Sequence, residues 1–299
     1  MDNSYLSIKE IQKIVFKDLQ EVNNIIIDNI GNEVPLIKDL SKHILASGGK
    51  RIRPMVTLLS SRLCNYSGNN QLYLAACVEF IHTATLLHDD VIDESKMRRG
   101  VATANDIFGN KTSVLVGDFL FSRAFELMVQ YGSKQILEVL SKASSTIAQG
   151  EVLQLTTIND SSTSKELYMK IITNKTASLF SAASKISAIL SEEKDIIQKS
   201  LKIYGQKLGI AFQLVDDALD YAGTSALDKS IGDDFREGKM TLPVIISLEK
   251  SNPEEKSFWK KTIEDLEQSS GDLNKAIELI NKYHGISSTL TLAKTYSKE

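Results

Sequence analysis

Residues 85–95 read TLLHDDVIDES, and the apolar run before them, from Phe80 to Leu87, repeats at helical spacing. On a helix, Asp89 and Asp93 are four residues apart and share a face, with Asp90 beside them. The basic loop KMRRG follows and ends in Gly100, which marks the helix end. Acidic groups in a last helical turn oppose the helix dipole by about 0.3 to 1 kcal/mol each, and they also repel one another. A neutral surface does not favour that arrangement, so the cluster needs either bulk solvent or a cation.

The rest of the chain reads as helical too. Only four prolines occur in 299 residues, and apolar residues recur at helical spacing, as in Ile11, Ile14, Val15, Leu19, Val22 and Ile26. The periodicity predicts helices over about residues 6–30, 35–47, 54–65, 71–93, 112–131, 134–156, 164–191, 195–222, 241–250, 254–268, 272–283 and 286–298. Breaks fall at SGGKRIRP, SKMRRGVATAN, NDSSTS, GTSALDKSIGDDFREGK and KSNPEE, none of which has the length or bias of an interdomain linker. The expectation is an all-α chain forming a single domain over 1–299.

Composition narrows the function classes. With 42% apolar and 24% charged residues the chain can bury a large core, and a net charge of -3 argues against a general nucleic-acid surface. Cys64 and Cys77 cannot build a disulfide framework, which predicts a reducing, cytoplasmic setting. The start, MDNSYLSIKE, lacks the pattern of a signal peptide, and no run of about 18 apolar residues predicts a membrane span.

A solvated acidic helix end would explain one DDxxD. The pattern recurs, however, in QLVDDALDYAG, where Asp216, Asp217 and Asp220 again follow an apolar run and precede a glycine. If the two helix ends face each other, they make an oxygen-rich cage. Mg2+ is the natural occupant, because it takes one or two carboxylates, keeps waters and completes its shell with phosphate oxygens. The four histidines, His43, His82, His88 and His284, have no paired ligand spacing that would favour zinc.

Phosphate also calls for cations. Lys50, Arg51 and Arg53 cluster in GGKRIRP, and Arg98 and Arg99 follow the first aspartates. Gly48 and Gly49 suit a helix end and Pro54 the start of the next helix, so Lys50 and Arg53 are expected beside a helix N-terminus, where anions are favoured.

These segments carry a resemblance. GGKRIRP, FIHTATLLHDDVIDESKMRRG, NKTASLF, AFQLVDDALDY and GDDFREGKMTLP occur in the order seen in trans-polyprenyl diphosphate synthases, and the match runs from about residue 5 to residue 250. The chain resembles most the bacterial long-chain branch, which makes octaprenyl diphosphate for quinone side chains. The resemblance implies an antiparallel helical bundle around a deep central cavity, usually a homodimer. It assigns Asp89, Asp93 and Asp216 to Mg2+, with Asp90, Asp217 and Asp220 supporting catalysis. Lys50, Arg53, His82 and Arg99 match positions that hold isopentenyl diphosphate. Arg98, Lys175, Thr176 and Gln213 match those that hold the allylic diphosphate, assisted by Lys229 and Lys239.

Under that reading, bond breaking at an allylic diphosphate and attack by isopentenyl diphosphate need no protein nucleophile. Ala84 and Thr85, one turn before Asp89, are small where shorter-chain relatives often carry aromatic side chains, so a growing chain is expected to pass, with Phe125 or Met128 as its floor. Release of a long apolar product implies transient contact with a membrane surface. Two features depart from the family: Asp228 precedes Lys229 where glycine is common, and LTLAKTYSKE reads as a helix still in progress where relatives continue. A shorter-chain geranylgeranyl or farnesyl synthase, a terpene cyclase and a noncatalytic synthase subunit are the alternatives.

Overall fold

Helix periodicity becomes helix almost throughout the computed structural model, which describes residues 6–31, 33–46, 49–98, 100–222 and 231–299. In chain order these are α1 (Ile8–Ile14), α2 (Phe16–Ile30), α3 (Pro35–Ala46), α4 (Ile52–Leu63) and α5 (Asn70–Ile92). A short hairpin follows, β1 (Met97–Arg98) and β2 (Val101–Ala102). Then come α6 (Ala104–Phe108), α7 (Asn110–Tyr131), α8 (Lys134–Leu155), α9 (Lys165–Ile172), α10 (Ser178–Leu190) and α11 (Asp195–Tyr221). The chain closes with α12 (Asp233–Arg236), α13 (Leu242–Lys250), α14 (Pro253–Trp259), α15 (Asp272–Lys282) and α16 (Gly285–Lys298). Among the described residues the hairpin is the only β-structure, and the fold is all-α.

The chain divides into two compact units, one made of residues up to Ser144 with Leu179–Gly205, the other of Ser145–Ser178 with Gln206–Glu299. In the first, α5 is the central helix: every residue from Leu74 to Ile81 is buried. A helix apolar all round must be enclosed by others, and α2, α4 and α7 pack against it. The amphipathic α2 contributes Val22, Ile26 and Ile30, spaced four apart on one face. Close approach between α5 and α7 brings the Cys77 thiol to the Ala124 carbonyl at 3.4 Å.

The second unit has its own core of Tyr168, Leu214, Tyr221, Phe235, Leu242, Trp259 and Leu279, drawn from α9, α11 and the helices after Gly232. Trp259 is fully buried, and its indole N–H donates to Ser251 Oγ at 3.2 Å, so its polar edge is satisfied. Asn252 starts α14 with a capping box: its side chain accepts from the Glu255 N–H, and the Glu255 carboxylate accepts from the Asn252 N–H.

Several expectations need correction. The helix expected over 6–30 divides at Val15, whose φ of -115° and ψ of 21° are not helical. The helix expected over 164–191 contains a π-helical turn at Thr173–Ala177, and the one over 254–268 ends in another at Lys260–Glu264. The hairpin and α6 lie in SKMRRGVATAN and the residues after it, where a loop was expected; Gly100, at φ +74°, makes the tight turn. Short α12 likewise lies within a stretch expected to be loop.

Candidate active site

In the first unit, one face of α5 carries Glu79, His82, Asp89 and Asp93 in succession, at spacings of three, seven and four residues. Asp89 and Asp90 are buried and Asp93 partly so. The α5 end is secured by its own backbone: the Asp93 N–H donates to the Asp89 carbonyl at 2.8 Å and the Ser95 N–H to that of Asp90 at 3.0 Å. The hairpin then returns Arg98, whose Nε and Nη2 donate to Asp90 Oδ1 at 2.8 and 2.7 Å. Thr103 and Asn105 fasten it by donating to the Ser95 carbonyl at 2.6 and 3.1 Å.

The three carboxylates are therefore not equivalent. Burial pushes the Asp90 carboxyl above its ordinary range, and the neighbouring charges of Asp89 and Asp93 push the same way. The Arg98 guanidinium opposes both. Arg98, the residue expected on the allylic diphosphate, thus also lies against Asp90 as its counter-charge.

Arg53 Nη1 donates to His82 Nε2 at 3.1 Å, and its guanidinium lies over the Phe180 ring, 4.6 Å from the centroid. Lys50 is exposed, with its carbonyl accepting from Gln12 Nε2 at 3.2 Å. Arg51 forms an ion pair with buried Glu79 instead of joining these cations. Ala84 is fully buried, and Thr85 is partly buried with its hydroxyl donating to the His82 carbonyl at 2.7 Å. Of the two floor candidates on α7, Met128 is enclosed at 1% exposure, whereas Phe125 is 48% exposed. Arg99 lies outside the described residues, as do Asp228 and Lys229.

The second unit assembles a different chain of contacts. Thr176 Oγ1 donates to Gln213 Oε1 at 2.7 Å, and Gln213 Nε2 donates to Asp217 Oδ1 at 2.7 Å. The Tyr168 hydroxyl donates to the other Asp217 oxygen. Burial pushes the Asp217 carboxyl up, and the charge of Asp234 adds to this against the two hydrogen bonds. Asp216 is partly exposed beside it.

Asp220 turns to the backbone: its Oδ2 accepts from the Asp234 N–H at 3.2 Å and its carbonyl from the Gly232 N–H at 2.9 Å, which fixes the entry to α12. Lys175 sits in the π-helical turn, with its ammonium 2.6 Å from Glu151 Oε2 and donating to Gln154 Oε1 at 2.8 Å. Lys239 pairs with Glu237 at 2.5 Å.

Sequence reasoning missed Tyr168, Glu151, Gln154, Asp234 and Glu79. Only Asp234, in GDDFREGK, stood in a segment already singled out. The others reach the site through tertiary packing alone.

Among the described residues no group of three His, Cys, Asp or Glu side chains stands ready-made as a metal cage. The donors that the DDxxD motifs present are all carboxylate oxygens. Such a set fits a hard divalent cation, which needs one or two carboxylates and takes the rest of its shell from water and phosphate.

The polyprenyl synthetase family model matches residues 34–280. The chain is 48% identical over 260 residues to octaprenyl diphosphate synthase of Escherichia coli (strain K12), covering 87% of this chain and 80% of that protein. It is 40% identical over 257 residues to the all-trans-nonaprenyl-diphosphate synthase (geranyl-diphosphate specific) of Rhodobacter capsulatus, covering 85% and 79%. Its structure is similar to that of a polyprenyl synthase from Caulobacter crescentus CB15 complexed with calcium and isoprenyl diphosphate. The TM-score is 0.94 at 47% identity, over 97% of this chain and 89% of that one.

Proposed function

The chain belongs to the polyprenyl synthetase family and is a chain-elongating prenyltransferase that makes a long-chain polyprenyl diphosphate; from that premise we propose that it adds isopentenyl diphosphate to an allylic primer such as farnesyl diphosphate, as far as all-trans-octaprenyl diphosphate for quinone side chains. The observation that carries this reading is the pair of DDxxD motifs, each on the last turns of a long helix and each with a cation or amide donor on one of its carboxylates.

Asp89, Asp93 and Asp216 hold divalent cations, for which Mg2+ is our assignment over the coarser divalent class. Bound there, such ions would supply positive charge against the departing pyrophosphate. Arg98, Lys175, Thr176 and Gln213 orient the allylic diphosphate, with Lys229 and Lys239 assisting. Lys50, Arg53, His82 and Arg99 orient isopentenyl diphosphate. The allylic C–O bond breaks with its electron pair leaving on pyrophosphate, and the isopentenyl double bond attacks the resulting carbocation. A proton is then lost to the released pyrophosphate, which restores the double bond. Holding both substrates makes the joining step effectively intramolecular.

Small, buried Ala84 and partly buried Thr85 favour a path for a long product, and enclosed Met128 favours a floor. Exposed Leu115, Phe125 and Val129, spaced along α7, support a homodimer. Unpaired, buried Cys64 and Cys77 support a reducing compartment. No described helix is long and apolar enough to cross a membrane, so release of product to a lipid surface would be a transient contact.

Purified protein incubated with Mg2+, isopentenyl diphosphate and farnesyl diphosphate, followed by mass analysis, is expected to yield a ladder ending at octaprenyl diphosphate. A ladder ending at geranylgeranyl diphosphate overturns the chain-length assignment. Absence of elongation leaves a noncatalytic subunit, and cyclic hydrocarbons leave a cyclase.

A further inference from the structure

Three cations in KRIR look interchangeable in the sequence, yet the structure separates them. Lys50 is exposed and Arg53 bonds to His82, whereas Arg51 forms its ion pair with Glu79. The Arg51 side chain is 17% exposed and that of Glu79 7%. Arg51 also holds a left-handed backbone, φ 48° and ψ 38°, at the N-cap of α4. A residue with a Cβ persists there only when its surroundings over-determine it. A buried carboxylate supplies that determination, because leaving Glu79 without its cation would be strongly unfavourable.

Glu79 and His82 lie three residues apart on one face of α5, so α5 grips the start of α4 at two points: Glu79 holds Arg51 at the N-cap and His82 holds Arg53 in the first turn. The same face reaches Asp89 seven residues after His82, about 10 Å along the axis. The Arg51 ion pair thus ties the N-terminal end of α4 to the helix that carries the first aspartates.

We propose that Arg51 is a positioning residue: paired with Glu79, it fixes the turn into α4 so that Lys50 and Arg53, and not Arg51 itself, meet the diphosphate of isopentenyl diphosphate. This rests on the assignment of Lys50, Arg53 and His82 to that substrate.

The test is steady-state kinetics with each substrate varied in turn, on the full chain carrying Glu79→Gln, Arg51→Gln, both together, Arg51→Lys or Arg53→Ala, with circular dichroism to confirm folding. Glu79→Gln and Arg51→Gln are each expected to raise KM for isopentenyl diphosphate about tenfold, with the pair together costing no more than either alone. KM for the allylic diphosphate and kcat should stay within about twofold. Arg51→Lys, which keeps the charge without the fork, should fall between wild type and Arg51→Gln, and it serves if the neutral variants do not fold.

If Arg51→Gln raises that KM while Glu79→Gln does not, Arg51 is itself a ligand and the proposal is overturned. Folded variants with only a lowered melting temperature reduce the pair to a structural one and also overturn it. An unchanged KM in Arg53→Ala instead removes the substrate assignment on which the proposal stands.

Discussion

Tyr168 donates its hydroxyl hydrogen to one carboxylate oxygen of Asp217 while Gln213 donates to the other, and both Tyr168 and Asp217 are 4% exposed. Burial and the Asp217 charge push the Tyr168 phenol far above its ordinary range, so it remains a donor at any working pH. The second DDxxD motif therefore contains a carboxylate locked on both sides, Asp217, next to one that is partly exposed, Asp216. That division predicts different consequences for changes at neighbouring positions.

Tyr168→Phe removes one buried hydrogen bond to Asp217 and nothing else of size. A loss of about 1 to 3 kcal/mol in stability is expected, since truncation leaves a buried carboxyl with one hydrogen-bond partner fewer. Turnover should fall about tenfold and half-saturation by the divalent cation should move to higher concentration, because Asp217 no longer braces its neighbour. Asp216→Ala, by contrast, should retain the fold and nearly abolish turnover. A metal titration of Tyr168→Phe that overlays the wild-type curve would remove Tyr168 from this role.

Gly205→Ala tests a contact that helix propensity alone misjudges. Replacing glycine by alanine inside a helix is ordinarily worth about 1 kcal/mol in stability. At position 205 of α11, however, a Cβ would lie 2.2 Å from Ser184 Oγ and 2.3 Å from the Phe180 carbonyl oxygen. Ser184 has little room to yield, because its hydroxyl already bonds to the Leu201 carbonyl at 2.7 Å. Denaturant unfolding should therefore show a net loss of about 1 to 3 kcal/mol, and a gain would mean that α10 and α11 can separate without cost.

Gly205 also shows where legibility in the sequence ends. Long helices were readable because their apolar residues repeat for many turns, and both DDxxD motifs because spacing alone puts their acids on one face. The π-helical turn under Lys175 left no such mark, since nothing in TNKTA signals a change of register, which appears only in the folded backbone. Glu79 was hidden in an apolar stretch, AACVEFI, where one acid carries no pattern. Its meaning comes from Arg51, 28 residues away. The hairpin at Met97–Arg98 and Val101–Ala102 is too short for a period-two signal, yet it delivers Arg98 to Asp90.

Acid should weaken the second unit through Glu255. Its carboxylate accepts from Lys282 Nζ and the Tyr283 hydroxyl, each at 2.5 Å, and from the Asn252 N–H at 2.9 Å. These contacts hold its pKa at about 2, against an ordinary 4.5. A carboxyl depressed in the folded state contributes stability that is complete above the unfolded pKa and is lost as pH falls through the folded one. The contribution of Glu255 is thus present above pH 4.5 and disappears between there and about 2. Glu255→Gln should be less stable than wild type at neutral pH and converge with it toward pH 2. Unfolding curves with a constant difference across that range would contradict the linkage.

Ala84→Phe addresses the product. Ala84 is fully buried and lies five residues before Asp89 on α5, about 7.5 Å along the axis. If the growing chain passes this level, a phenyl group there blocks it, and mass analysis should show products shorter than those of the wild type. The added bulk enters a packed site and should also cost about 1 to 3 kcal/mol of stability, so lower yield alone says nothing about the path. Length distribution, not rate, is the readout. Met128→Ala supplies the opposite arm: if Met128 closes the path, its truncation should lengthen the products. An active Ala84→Phe enzyme with an unchanged endpoint would place the path elsewhere, because no flexible neighbour can hide a ring inserted at a position with no exposed surface.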